Sequence, residues 1–172
     1  MKYDYVSLYN KNAAFFNAHP TAKRALQSAN FLFTWLFFIA YGVLLTHALF
    51  VKPFATEDLV KILFVPGLTL IFVTVLRLFI ERPRPYMEEG AGIMPLVEKK
   101  KARKHSFPSR HLACAAVIAM TFLPFYPIVS LFLLGASVVL GYLRFAMGWH
   151  YPSDVVAGWC LGVFMGYLIL LL

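Results

Sequence analysis

From Leu112 to Leu143 the chain carries no charged side chain. Few folds tolerate that. A helix that crosses a bilayer needs about 20 apolar residues, and this stretch holds enough for two, divided by Pro124 and Pro127, neither of which suits a helix interior. The predicted elements are a helix from Arg110 to about Leu123, a turn, and a helix from about Tyr126 to Phe145. The rest of the chain repeats the pattern. Phe31 to Val51 forms one apolar run, with His47 its only potentially charged member, and Leu59 to Ile80 forms a second, with Lys61 and Arg77 near its ends. Val155 to Leu172 forms the last. Soluble domains are about one quarter charged. This chain is 14% charged and 60% hydrophobic, with 17 phenylalanines. The expected fold is therefore all-α, an integral membrane helical bundle of about five transmembrane helices, with residues 1–172 forming a single domain.

Residues 1–29 mix Tyr3, Tyr5, Leu8, Tyr9, Phe15 and Phe16 with Lys2, Lys11, Lys23 and Arg24, which predicts an amphipathic helix lying in the interface. They are too polar for a cleaved signal peptide. Thr56 is placed to cap the second span, and Ser153 to cap the last, with Asp154 in its first turn. Residues 81–108 hold several prolines and glycines and the run Lys99-Lys100-Lys101-Ala102-Arg103-Lys104, and read as a long surface loop. The net charge is +8, which suits a surface facing anionic headgroups. No nucleic-acid motif accompanies it. Cys114 and Cys160 both fall in apolar segments and read as packing residues, as does His47.

Three polar clusters interrupt this apolar chain, at Arg77 to Arg84, at Ser109-Arg110-His111, and at Arg144, His150 and Asp154. Their positions follow from parity. The second span ends at the first cluster, the third begins at the second, the fourth ends at Arg144 and the fifth begins near Asp154, so all of them lie on one face, together with the N-terminus. Ionisable groups at a membrane surface are costly and usually functional. An arginine at a helix end can also simply snorkel, and Arg82 reads that way.

These residue types suit phosphoryl transfer. Guanidinium forks match phosphate oxygens and stay charged, so Arg77, Arg84 and Arg144 form a cage for a phosphorus centre. Ser109 adds a hydroxyl at a helix N-terminus. His150 and Asp154 are four apart, so the carboxylate can fix one imidazole nitrogen and leave the other free to attack phosphorus. His111 is then the acid that protonates the leaving oxygen. A metal site built from His105, His111, His150 and Asp154 is the rival arrangement. The adjacent fixed cations disfavour a dication, and no metal or other cofactor is expected.

Arg77-x6-Arg84-Pro85, Pro108-Ser109-Arg110-His111 and Leu143-Arg144-x5-His150-x3-Asp154 resemble the three motifs of the type 2 phosphatidic acid phosphatases, a family that shares its superfamily with soluble vanadium haloperoxidases. The family pattern has lysine where Arg77 stands, glycine where Arg110 stands and serine where Leu143 stands. The resemblance implies a helical membrane enzyme that removes phosphate from lipid phosphates without metal through a phosphohistidine. His150 would be the nucleophile, Asp154 its partner and His111 the acid. Arg77, Arg84, Ser109 and Arg144 would hold phosphate, with Arg110 as a further contact. The expected substrate is a lipid phosphate in the bilayer, undecaprenyl diphosphate first. Phosphatidylglycerol phosphate and phosphatidic acid are alternatives, as are a lipid phosphotransferase and, from another class, a non-catalytic lipid-binding or transport protein. The expected place is a bacterial plasma membrane with the site on the extracytoplasmic face.

Overall fold

A computed structural model describes residues 2–51, 54–88, 92–93, 95–96 and 105–171. The lysine-rich run at 99–104 and the link residues Lys52 and Pro53 lie outside them. Six α-helices carry the fold: α1 (Lys2–Ala18), α2 (Pro20–Thr46), α3 (Thr56–Phe79), α4 (Arg110–Thr121), α5 (Pro127–Ala146) and α6 (Pro152–Leu171). A π-helical turn (His47–Val51) extends α2, and a single 3-10 turn (Pro85–Met87) follows α3. Among the described residues there is no strand. The protein is an all-α integral membrane bundle.

The five expected spans correspond to α2 through α6. Among the described residues three segments are long and apolar enough to cross a bilayer, Pro20–Val51, Thr56–Phe79 and Pro127–Ala146. Their outward faces are greasy: Phe31, Trp35 and Phe38 on α2, Phe64 and Ile71 on α3, and Ile128 and Phe132 on α5 are all exposed. Beyond Ser153 and Asp154 in its first turn, α6 carries no charged residue. By contrast α4 has 12 residues, or about 18 Å of helix, against a hydrocarbon thickness of about 30 Å. It is enclosed by protein rather than lipid: Leu112, Ala113 and every residue from Ala115 to Thr121 are buried. Four alanines in that stretch explain how its neighbours come so close.

Contact between α6 and α4 is closest at three glycines spaced four apart. A Cβ added at Gly158 would sit 2.4 Å from the Ser109 carbonyl oxygen, one at Gly162 2.3 Å from the Ala113 carbonyl oxygen, and one at Gly166 2.3 Å from Met120 Cβ. In a membrane, where apolar burial does not drive helices together, such small residues let backbones pack directly. The same contact seats the start of α6 on the start of α4, where the Ser109 N–H donates to the Asp154 carbonyl at 2.9 Å.

Pro66 lies inside α3 and is buried. It has no N–H for the carbonyl one turn back, that of Ile62. The Tyr41 hydroxyl, from α2, donates to that carbonyl at 2.9 Å. Tyr41→Phe should therefore lower stability by about 1 kcal/mol, read as a fall in Tm in detergent. Adding Pro66→Ala, which restores the backbone donor, should recover most of the loss.

Some local expectations change. Residues 2–29 are helical but are divided at His19, and α2 begins at Pro20, well before the apolar run at Phe31. The N-cap of α3 is Ala55, with Thr56 already helical. Likewise α6 starts at Pro152, which places Ser153 inside its first turn rather than at its cap. The two cysteines are free. At the end of the bundle away from the polar clusters, His47 Nδ1 lies 3.1 Å from the Tyr126 hydroxyl, and the Phe54 and Phe125 rings stack at 4.2 Å.

Candidate active site

Proline shapes the first part of the site. After α3 the chain runs Arg82-Pro83-Arg84-Pro85, which favours extended backbone without donors. Ser106 supplies what the prolines lack. Its N–H donates to the Arg82 carbonyl at 2.8 Å, and its hydroxyl to the Pro83 carbonyl at 3.0 Å. The segment just before α4 is thereby laid along the segment just after α3. Arg77 locks the pair from the end of α3 by donating to the Pro108 carbonyl at 2.9 Å and to the His105 carbonyl. Two of its donors thus brace the loop that leads into Ser109.

The third cluster is built around Trp149. Arg84 is 3% exposed and donates to the Trp149 carbonyl at 2.8 Å. Arg144, 4% exposed, lies with its guanidinium 5.2 Å from the centre of the Trp149 ring. The two guanidinium groups are close enough to repel one another. Among the described residues no carboxylate pairs with Arg144. Its Nη2 donates instead to the Thr34 hydroxyl on α2 at 2.8 Å, and its buried Nε has no hydrogen-bond partner. Thr34 is held as an acceptor because its own proton goes to the Asn30 carbonyl at 2.7 Å.

His150 and Asp154 follow, at 1% and 0% exposure. His150 Nδ1 stands 3.6 Å from Asp154 Oδ2, within ion-pair range and longer than a hydrogen bond. That oxygen accepts the Tyr151 N–H at 3.0 Å. The other carboxylate oxygen takes Arg82 Nη1 at 2.7 Å. Ser109 occupies the N-cap position of α4, yet its side chain makes no capping bond, and its buried hydroxyl has no partner. His111 is the second residue of α4 and half-buried, and Arg110 is the first, also half-buried.

The contacts therefore join Arg77, Arg84, Ser109, Arg144, His150 and Asp154 at one end of the bundle, as parity requires. Among the described residues no three His, Cys, Asp or Glu side chains gather. Helix α1 reaches the same end. The Tyr5 ring packs at 5.8 Å from Phe145 and 5.2 Å from Tyr151. Tyr9 fills the space over Gly148, whose φ of +73° and lack of Cβ permit the approach. Burial pushes the Tyr5 and Tyr9 hydroxyls above their ordinary pKa, with each other and Tyr151 as neighbours of Tyr5. Tyr151 is raised by burial and then by its hydrogen bond to Glu88 Oε2 at 2.5 Å.

Sequence reasoning missed three of these participants. Arg82 reads as a snorkelling cation, yet it is bound to Asp154. Thr34 lies in an apolar run where a hydroxyl usually bonds its own helix, as it does here while also accepting Arg144. Tyr151 carried no motif at all. The doubled Arg-Pro of residues 82–85 was the available signal for the first.

Known proteins resemble this chain in sequence and in fold. A curated undecaprenyl-diphosphatase from Sulfolobus acidocaldarius is 36% identical over 70 residues, which covers 40% of this chain and 34% of that protein. The match thus spans about a third of the relative's length. Two solved structures share the fold. The crystal structure of Aquifex aeolicus LpxE superimposes with a TM-score of 0.71 at 24% identity, covering 96% of this chain and 94% of that one. A transmembrane PAP2 type phosphatidylglycerolphosphate phosphatase from Bacillus subtilis gives 0.59 at 23% identity, covering 98% and 93%. The model of the PAP2 superfamily matches residues 58–172, from the start of α3 through α6 and across all three polar clusters, and the chain belongs to that superfamily.

Proposed function

We propose that this protein is a membrane lipid phosphate or diphosphate phosphatase that works through a phosphohistidine at His150, with a polyprenyl diphosphate such as undecaprenyl diphosphate as its preferred substrate and its site on the outer face of the plasma membrane. One observation carries this reading. Two buried guanidinium groups lie against Trp149, Arg84 on its carbonyl and Arg144 over its ring, and the Ser109 hydroxyl and Arg144 Nε are buried without hydrogen-bond partners. A buried guanidinium without a carboxylate partner is unfavourable, and a bound phosphate offsets the charge of Arg144.

The chemistry runs in two steps. His150 turns Nδ1 toward Asp154 and attacks phosphorus with Nε2. The P–N bond forms as the P–O bond to the lipid breaks, and His111 gives its proton to the departing oxygen. Water then attacks the phosphohistidine, His111 takes its proton, and the P–N bond breaks. Arg84, Arg144 and Ser109 stabilise the equatorial oxygens in both transition states, which is where most of the acceleration in such reactions arises. Arg77 acts by holding the loop ahead of Ser109, and Arg110 is a further phosphate contact. The relatives named above, one an undecaprenyl-diphosphatase, support the substrate class.

The test is phosphate release by purified protein from undecaprenyl diphosphate, phosphatidylglycerol phosphate and phosphatidic acid, with and without EDTA. Chelator-insensitive release, fastest with the polyprenyl diphosphate, is the expected result. Release that disappears with EDTA would point to metal, and lipid binding without release to a non-catalytic protein. Thr34→Val keeps the shape of Thr34 and removes the acceptor that steadies Arg144. It should lower kcat/KM about tenfold and lower Tm as well, since a buried guanidinium loses its acceptor.

A further inference from the structure

Arg82 joins the two halves of the site. Its Nη1 donates to Asp154 Oδ1 at 2.7 Å and to Ser153 Oγ at 2.8 Å, and its guanidinium carbon lies 4.2 Å from the centre of the Tyr151 ring. The carboxylate it holds is fully buried, whereas the Arg82 side chain is 35% exposed. These partners all follow His150 within four residues, so the contacts tie Arg82 to the turn that leads from the imidazole into α6. Tyr151 is fixed from its other end by Glu88.

We propose that Arg82 is a positioning residue that divides the charge of Asp154 between itself and His150, which keeps the imidazole neutral and nucleophilic at lower pH than an unshared carboxylate would allow. This inference rests on the phosphohistidine reading above. The geometry supports it in two ways. First, Asp154 makes its short contact with Arg82, whereas His150 Nδ1 stands 3.6 Å away. The carboxylate is already compensated before the reaction begins. Second, the carboxylate is pinned by Arg82 on one oxygen and by the Tyr151 N–H on the other, so its orientation does not depend on His150. When phosphorylation makes the ring cationic, the carboxylate stands ready beside it.

The other charged and titratable groups on the surrounding described segments are Glu81, exposed beside Arg82 in sequence, the half-buried Tyr86, Glu88 and Tyr151, which bond each other, Arg84 on the Trp149 carbonyl, Arg144 over the Trp149 ring, Arg77 and His105 at the 105–108 loop, and Arg110 and His111 at the start of α4. Tyr5 reaches Tyr151 from α1. The cations there act on His150 from around Trp149 and the loop. Arg82 alone among them bonds the Asp154 carboxylate.

The experiment is the pH profile of kcat/KM for phosphate release from undecaprenyl diphosphate, compared between wild type, Arg82→Gln and Arg82→Lys. Ionisation of the substrate is common to all three and drops out of the comparison. Loss of the cation leaves Asp154 uncompensated and makes the imidazole more basic, so the acid limb should move upward by about one pH unit in Arg82→Gln. Activity should fall about tenfold on the acid side and recover at alkaline pH, with KM little changed. Arg82→Lys keeps the charge and should keep the limb near its wild-type position. Where Arg82→Gln does not yield folded protein, Arg82→Met, which retains an apolar stem over Tyr151, serves the same comparison. A uniform loss across all pH values, with no shift of the limb, would overturn the inference and leave Arg82 a loop brace. Absence of phosphate release from wild type would instead overturn the phosphatase reading.

Discussion

His150→Ala should reduce phosphate release from a lipid diphosphate by at least about 10⁴-fold, as removal of a covalent nucleophile does in other enzymes. Neither Asp154 nor Ser109 can take its place. Asp154 is bound to Arg82 and to the Tyr151 N–H, and Ser109 presents a neutral hydroxyl with no base paired to it. Because His150 is almost fully buried, truncation to alanine also leaves a cavity. His150→Gln, close to it in volume, separates the two effects: it should be equally inactive, yet hold Tm within a few degrees of wild type. His111→Ala should be milder, about 10²–10⁴-fold, since it removes proton transfer but leaves attack on phosphorus possible. Its loss should be smallest for a diphosphate, whose leaving oxygen needs a proton least. Near-normal rates in His150→Gln would contradict the assigned role.

Gly158→Ala should damage both the fold and the site. The added methyl would lie 2.4 Å from the Ser109 carbonyl oxygen and 3.0 Å from the Ser109 nitrogen. Those are backbone atoms at the start of a helix, so the clash cannot be relieved by a side-chain rotation, and α6 must move away from α4. Overpacking of this kind costs about 1–3 kcal/mol. The displacement also falls on the hydrogen bond between Ser109 N–H and the Asp154 carbonyl, which sets the helix start against the turn holding His150. A shift of about 1 Å at a reacting centre costs on the order of 10²-fold in rate. Gly42→Ala is the control. It too is a helical glycine, but a Cβ there meets nothing within 4 Å, and the gain in helix propensity should leave the protein unchanged or slightly more stable. Thermal unfolding in detergent and kcat, measured on both variants, check the contrast.

Much of the architecture is legible before any coordinates because bilayer physics is strict. Prolines 124 and 127 divide the uncharged stretch into α4 and α5 within a few residues of the expected ends. The boundary of α2 is less legible for a physical reason. An apolar run marks where a helix meets lipid, not where it begins, and the polar residues at 20–30 are helical because they continue a helix that the membrane stabilises further along. Parity placed the clusters on one face, and the Ser109–Asp154 backbone bond and the hold of Arg77 on the loop before Ser109 accord with that placement. What the chain could not disclose is how each cation is used. Arg82 and Arg77 look alike at the end of one helix, yet one binds a carboxylate 72 residues away and the other braces a loop. Such assignments depend on side-chain direction, which sequence spacing does not encode.

The most direct test is to trap the intermediate. Purified protein mixed with lipid diphosphate carrying a radiolabelled terminal phosphate, quenched in alkali within milliseconds, should yield a protein-bound label that survives base, is lost in acid, and maps to the peptide containing His150. His150→Gln should show none, and His111→Ala should accumulate more than wild type because water attack is slowed. Phosphate release with no label on that peptide under the same quench, or label on a different residue, would contradict the account.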